Sequence, residues 1–224
     1  MRLPAGARRQ FDEDRERGMC EPCTGAMPSP PMPSPPNWFV ALPVDPGAWF
    51  ERVPEPPRGV RRFHPADLHL TIAFLGPVSE EAALAGWDAL SWPLGPVEVS
   101  LGPVVALGPP RRWSALSALL GEGRDAVETA MAEARGAVWK AAGARPDHRP
   151  PKAHVTLARP TRAAPELARA LALDWAARLP AALGQARLDR VALYGWSADR
   201  ANRLFAVHRE RALAARVEAA PPLR

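Results

Sequence analysis

Asp67-Leu68-His69-Leu70-Thr71-Ile72-Ala73-Phe74-Leu75-Gly76 and His154-Val155-Thr156-Leu157-Ala158-Arg159 are two short, mostly apolar runs that share a pattern. Each carries a His-x-Thr triplet at or near its start, and they are closed by Gly76-Pro77 and Pro160 respectively. Such runs read as buried strands. In a strand, residues two apart share a face. His69 projects with Thr71, and His154 with Thr156, while Leu70 and Val155 point the other way into a core. Two imidazoles and two hydroxyls would meet wherever the two strands face each other.

Working outward, the same punctuation marks the remaining elements. Trp38 to Leu42 reads as an opening strand. Asp45-Pro46 predicts an N-cap and first helical residue, with a short helix through Trp49 and Phe50. Ser79-Glu80-Glu81 predicts a capped helix with Leu84, Trp87 and Leu90 as its apolar stripe. Val97–Leu101 and Val104–Leu107 read as strand broken by Gly102-Pro103, and Trp113 to Leu119 as a further strand. Residues 122–142 give the clearest helix, with Val127, Ala130, Met131, Ala134, Val138 and Ala141 at helical spacing. A helix over about 164–179 is predicted to bury Leu167, Leu171 and Trp175. Arg187–Trp196 and Arg203–Arg209 read as a closing hairpin. Each half thus holds a strand, a helix and a His-x-Thr strand. The expected fold is α+β, a bilobal duplication with two antiparallel sheets facing across a central groove and helices packed outside.

Composition bounds the rest. The chain has 224 residues, 47% of them hydrophobic, enough for one good-sized core. No run of about 18 apolar residues suggests a membrane span, and residues 1–25 lack the apolar segment of a secretory signal, so the expected location is cytoplasmic. Residues 26–36, Ala-Met-Pro-Ser-Pro-Pro-Met-Pro-Ser-Pro-Pro, favour extended polyproline II. Residues 1–36 therefore read as a disordered extension, 37–212 as the folded domain and 213–224 as a tail. Met27 and Met32 offer alternative starts just before the domain. Cys20 and Cys23 form a lone pair without further zinc ligands, and read as incidental thiols. The net charge of +5 suits an anionic ligand without specifying one.

The chemistry follows from the side chains. Imidazole titrates near neutral pH, so one ring can give a proton while the other takes one. Threonine hydroxyls can donate to the non-bridging oxygens of a phosphate in the transition state. Such a site needs neither a carboxylate nor a metal, and no cofactor is expected. His64, His148 and His208 read as surface or structural residues, and Arg61, Arg62, Arg111 and Arg112 as solvated loop arginines.

At these residues the sequence resembles the two-histidine phosphoesterase superfamily, and within it the bacterial RNA 2′,3′-cyclic phosphodiesterases, also called 2′-5′ RNA ligases. The likeness extends to the Phe74-Leu75-Gly76 tail, to Phe39–Leu42, and to Val191–Tyr194 with Phe205–Val207, and spans about residues 37–212. It implies a metal-independent enzyme, a monomer, that opens the 2′,3′-cyclic phosphate of an RNA or nucleotide to a 2′-phosphate. His69 would be the proton donor, His154 the proton acceptor, and reverse chemistry would join 2′-5′ ends. Thr71, Thr156 and Arg159 would bind the phosphate. Strict alternation, however, puts Arg159 on the face opposite His154, so it reaches the groove only if the strand bends. Ala73 and Lys152-Ala153 depart from the family, which commonly has arginine at the first position and Arg-Pro at the second. Two alternatives remain: a phosphodiesterase for a small cyclic nucleotide or an ADP-ribose cyclic phosphate, and a non-catalytic RNA-binding module.

Overall fold

The computed structural model describes residues 36–214. The readings made for the proline-rich extension, the two cysteines and most of the tail lie outside them. Leu213, assigned to the tail, is buried.

Two antiparallel sheets carry the fold. The first has the order β3-β1-β8-β9, formed by β1 (Trp38–Pro43), β3 (His69–Gly76), β8 (Arg190–Trp196) and β9 (Phe205–Ala212). The second has the order β2-β6-β5-β4-β7, formed by β2 (Val60–Arg62), β4 (Val97–Leu107), β5 (Ala115–Leu120), β6 (His154–Pro160) and β7 (Gly184–Leu188). Helices α2 (Glu80–Asp88) and α3 (Arg124–Ala141) pack on the first sheet, whereas α1 (Gly47–Glu51) and α4 (Glu166–Ala177) pack on the second. The bilobal α+β arrangement is the expected one. Its lobes are not the two halves of the sequence, however: strands near both ends of the described residues build the first sheet, and the second is built from those between together with β2, which intervenes between β1 and β3.

The apolar patterning explains most elements. Val40, Ala41 and Leu42 of β1 are fully buried because this strand is central in its sheet. Ser79 caps α2 by accepting the Ala82 N–H at 3.2 Å. Val127, Ala130, Met131, Ala134 and Val138 bury one face of α3, and the stripe ends on Trp139 and Ala142 instead of Ala141.

Four local readings are corrected. Pro46, not Asp45, occupies the N-cap position of α1, and the Asp45 carboxylate pairs with Arg190 instead. Strand β4 runs through Gly102-Pro103 with a register shift where a break was expected. Arg187 and Leu188 belong to β7, so the chain crosses between sheets at Asp189 before the β8–β9 hairpin begins. Finally, α4 buries Ala168, Ala172 and Ala176, while Leu167 and Leu171 stay exposed. Small side chains let α4 lie close over Val60, Leu116 and Ala158. Of the expected stripe only Trp175, half-buried, packs against the core.

Candidate active site

β3 and β6 lie beside one another without pairing, one from each sheet. Each begins on its histidine. Leu70 and Val155 sink into the core at 0% and 1% exposure, which leaves His69 with Thr71, and His154 with Thr156, on the other face of each strand.

Both imidazoles are held the same way. His69 Nδ1–H donates to the carbonyl of Asp67 at 2.7 Å, and His154 Nδ1–H donates to that of Lys152 at 2.6 Å. Donation from Nδ1 leaves Nε2 as the free nitrogen of each neutral ring. Each carbonyl belongs to the residue two positions before its histidine, so the device repeats in both motifs.

The surroundings of the two rings differ. His69 is 8% exposed and packed among Phe39, Phe205 and Tyr194, at 4.7, 5.3 and 5.4 Å between ring centroids. Burial is the main cause that lowers its pKa to about 4; the Asp67 bond opposes this, and Arg159 and His154 add to it. His154 is half-buried, and its pKa is lowered by burial first, then by Lys152 and Arg159, against the opposing Lys152 carbonyl bond. Without an anion, both rings are therefore biased toward neutrality.

Arg159 reaches the groove because β6 does not alternate strictly. Ser117 pairs with Thr156 but Leu116 pairs with Ala158, so Leu157 is an extra residue in β6. This β-bulge turns Ala158 toward α4 and Arg159 to the side of His154 and Thr156. The Arg159 guanidinium lies 5.4 Å from the Phe63 ring, and loss of hydration in the concave groove lowers its pKa. β3 carries the matching bulge: Ala41 pairs with Thr71 but Val40 pairs with Ala73, which makes Ile72 the extra residue. Phe74 consequently faces the groove and is 55% exposed. Both strands thus present histidine, threonine two residues on, and a third groove residue five residues on.

A cavity of ≈ 530 Å³ opens on the His69 side, with Phe39, Thr71, Phe74, Arg159 and Phe205 among its walls. His154 and Thr156 stand outside those walls, though His154 is close enough to His69 to influence its titration.

Three supporting residues had escaped the sequence reading. Asp67, 0% exposed, accepts the N–H groups of Leu204 at 2.8 Å and Phe205 at 3.2 Å, with Arg203 Nε 3.6 Å away. It ties the turn that orients His69 to the start of β9. Ser117 shares a 3.2 Å hydrogen bond with the Thr156 hydroxyl. Glu128 on α3 accepts the Ala153 N–H at 2.9 Å and so fixes the segment before His154. Arg61 and Arg62 are not merely solvated. Arg61 donates to the carbonyls of Arg200, Ala201 and Asn202, and Arg62 to Phe50 and Glu55. Among the described residues, no group of three or more His, Cys, Asp or Glu side chains is placed to hold a metal.

No protein-family model and no curated protein matches the sequence. Solved structures do match. E. coli LigT complexed with 3′-AMP superposes with a TM-score of 0.58 at 20% identity, over 80% of this chain and 98% of that one. The chain has the LigT fold. TT0787 of Thermus thermophilus superposes with a TM-score of 0.56 at 23% identity, over 80% and 98% of the two chains. E. coli LigT complexed with NADP+ gives 0.55 at 20% identity, over 81% and 99%. The fold is the one that the resemblance carried by the paired motifs implied. No helix among the described residues is long and apolar enough to cross a membrane.

Proposed function

We propose that this chain is a two-histidine phosphoesterase that opens the 2′,3′-cyclic phosphate of an RNA or nucleotide end to a 2′-phosphate without a metal. One observation carries the reading. Histidines that open two neighbouring strands of different sheets are anchored alike through Nδ1, each with Nε2 left over and a threonine two residues on.

In this mechanism Nε2 of His154 takes a proton from water as the water oxygen bonds to phosphorus. The bond from phosphorus to the ribose 3′-oxygen breaks, and His69 gives its proton to that oxygen. Thr71 and Thr156 donate to the non-bridging oxygens, and Arg159 balances the charge that builds there. With the Thr156 proton given to the phosphate, the Ser117 hydroxyl donates to Thr156 Oγ1 and so orients it. The same ring opening with a 5′-hydroxyl in place of water, its proton going to His154 and the 3′-oxygen leaving with the proton of His69, would give the 2′-5′ linkage, and its reversal would cleave that linkage. Assigning His69 as acid follows the family resemblance. It requires that His69 acquire its proton together with the anionic substrate, because burial keeps the ring neutral in the free protein. Crystals of LigT with 3′-AMP and with NADP+ support a nucleotide as ligand.

The test is hydrolysis of a nucleoside 2′,3′-cyclic phosphate by EDTA-treated protein, comparing wild type with His69→Ala and His154→Ala. Each variant is expected to lose at least about 10²-fold in kcat, the lower end for one acid–base group, while keeping its far-UV circular dichroism. Folded variants with near-normal turnover would exclude the assignment.

A further inference from the structure

The cavity beside His69 extends to a wall made by the β8–β9 connection, residues 197–204. A connection of this kind would ordinarily be loose, but here it is bolted to the site. The Arg61 guanidinium donates to three successive carbonyls, those of Arg200 at 2.7 Å, Ala201 at 2.9 Å and Asn202 at 3.2 Å. Arg61 stands opposite Arg159 in the β2–β6 register. Inside the loop, the Asp199 carboxylate accepts the N–H groups of Ala201 and Asn202 and the Asn202 side-chain amide. At the far end Asp67 holds Leu204 and Phe205.

What this fixed wall presents is positive. Arg200 lies 4.2 Å over the Trp196 ring, a stacked arrangement that limits the freedom of its guanidinium. Trp196, Arg200 and, beyond the end of β6, Arg162 line the same cavity as His69. Among the described residues, the cavity walls carry four arginines and no carboxylate. Arg61 is occupied by the loop carbonyls, and Arg159 lies on the catalytic strand. Arg162 and Arg200 are left facing a cavity with no counter-charge on its walls.

We propose that Arg200 and Arg162 form a second anion subsite, which takes a phosphate of the substrate other than the one cleaved, with Arg61 as its positioning residue. This rests on the reading that the groove binds a nucleotide cyclic phosphate. The second phosphate can be a 5′-monoester or an internucleotide diester, both presenting non-bridging oxygens that suit guanidinium groups.

Three substrates separate these sources: a nucleoside 2′,3′-cyclic phosphate, the same compound with a 5′-phosphate, and a dinucleotide ending in a 2′,3′-cyclic phosphate. In wild type, one or both of the two-phosphate substrates should show kcat/KM about tenfold or more above the first, through KM, as expected for one charge-assisted contact. Gain only with the 5′-phosphate identifies a monoester, and gain only with the dinucleotide identifies a diester. Arg200→Gln should cut the ratio to near unity. Arg61→Gln should also cut it, raising KM for the two-phosphate substrate while kcat is kept; a merely structural defect would lower kcat for all three. Equal kcat/KM for all three in wild type, or a ratio untouched by Arg200→Gln, overturns the proposal. Calorimetric binding of a nucleoside 3′-monophosphate and the 3′,5′-bisphosphate gives an independent reading. Tighter bisphosphate binding that Arg200→Gln abolishes, with no hydrolysis of any substrate, would uphold the subsite and sink the reaction.

Discussion

Acidification should unfold this protein in part through His69. The ring is 8% exposed against Phe39, Tyr194 and Phe205, and its pKa is lowered from 6.5 to about 4. An unfolded chain takes up a proton on this histidine near pH 6.5, whereas the folded chain resists until about pH 4. Between those values the unfolded state binds more protons, so stability rises with pH and falls as pH is lowered. A tenfold difference in proton affinity between the two states corresponds to about 1.4 kcal/mol, so a drop from pH 7 to about 4.5 should cost about 2–3 kcal/mol through this one residue. Urea denaturation of wild type and His69→Gln at both pH values isolates it, because other titrations cancel in the difference. Relative to wild type, the variant should gain about 2–3 kcal/mol on going from pH 7 to about 4.5. A wild type-to-variant difference that stays constant with pH would refute the claim that His69 is held neutral by burial.

Three further outcomes follow from the same geometry. Binding of inorganic phosphate or a nucleoside 3′-phosphate at pH 7 should take up protons, because an anion beside the two rings favours their charged forms; calorimetry in buffers of different ionisation enthalpy measures it, and zero uptake contradicts it. Asp67→Asn should destabilise the fold by about 2–4 kcal/mol and lower kcat, since the carboxylate that holds Leu204 and Phe205 also anchors the turn orienting His69; denaturant midpoints and turnover check both. Arg159→Gln should lower kcat/KM by at least about tenfold, and unchanged kcat/KM would refute the place of this guanidinium beside the phosphate.

The sequence made the two motif strands legible because period-two alternation and terminal Gly or Pro are local signals. Leu70 and Val155 face the core as alternation requires. Alternation failed at Leu157, where an extra residue reverses the face of everything after it. The only hint was that Phe74 and Arg159 occupy the same place in the two motifs, five residues past each histidine. The Leu167–Leu171 stripe misled for a different reason: hydrophobicity favours large side chains, while close helix-on-sheet approach at α4 needs alanine. Asp67, Glu128 and Arg61 were invisible because their partners lie 137, 25 and about 140 residues away in the chain. Topology alone brings those groups together. Likewise β7 and β8 read as one strand, since a single residue, Asp189, separates strands of different sheets.

If the paired histidines open a cyclic phosphate as proposed, the reaction has one defined product. Phosphorus NMR of a nucleoside 2′,3′-cyclic phosphate incubated with EDTA-treated protein reads that product out. Conversion to the 2′-phosphate alone is expected. A 3′-phosphate product, or turnover that appears only when a divalent metal is restored, would contradict the two-histidine mechanism.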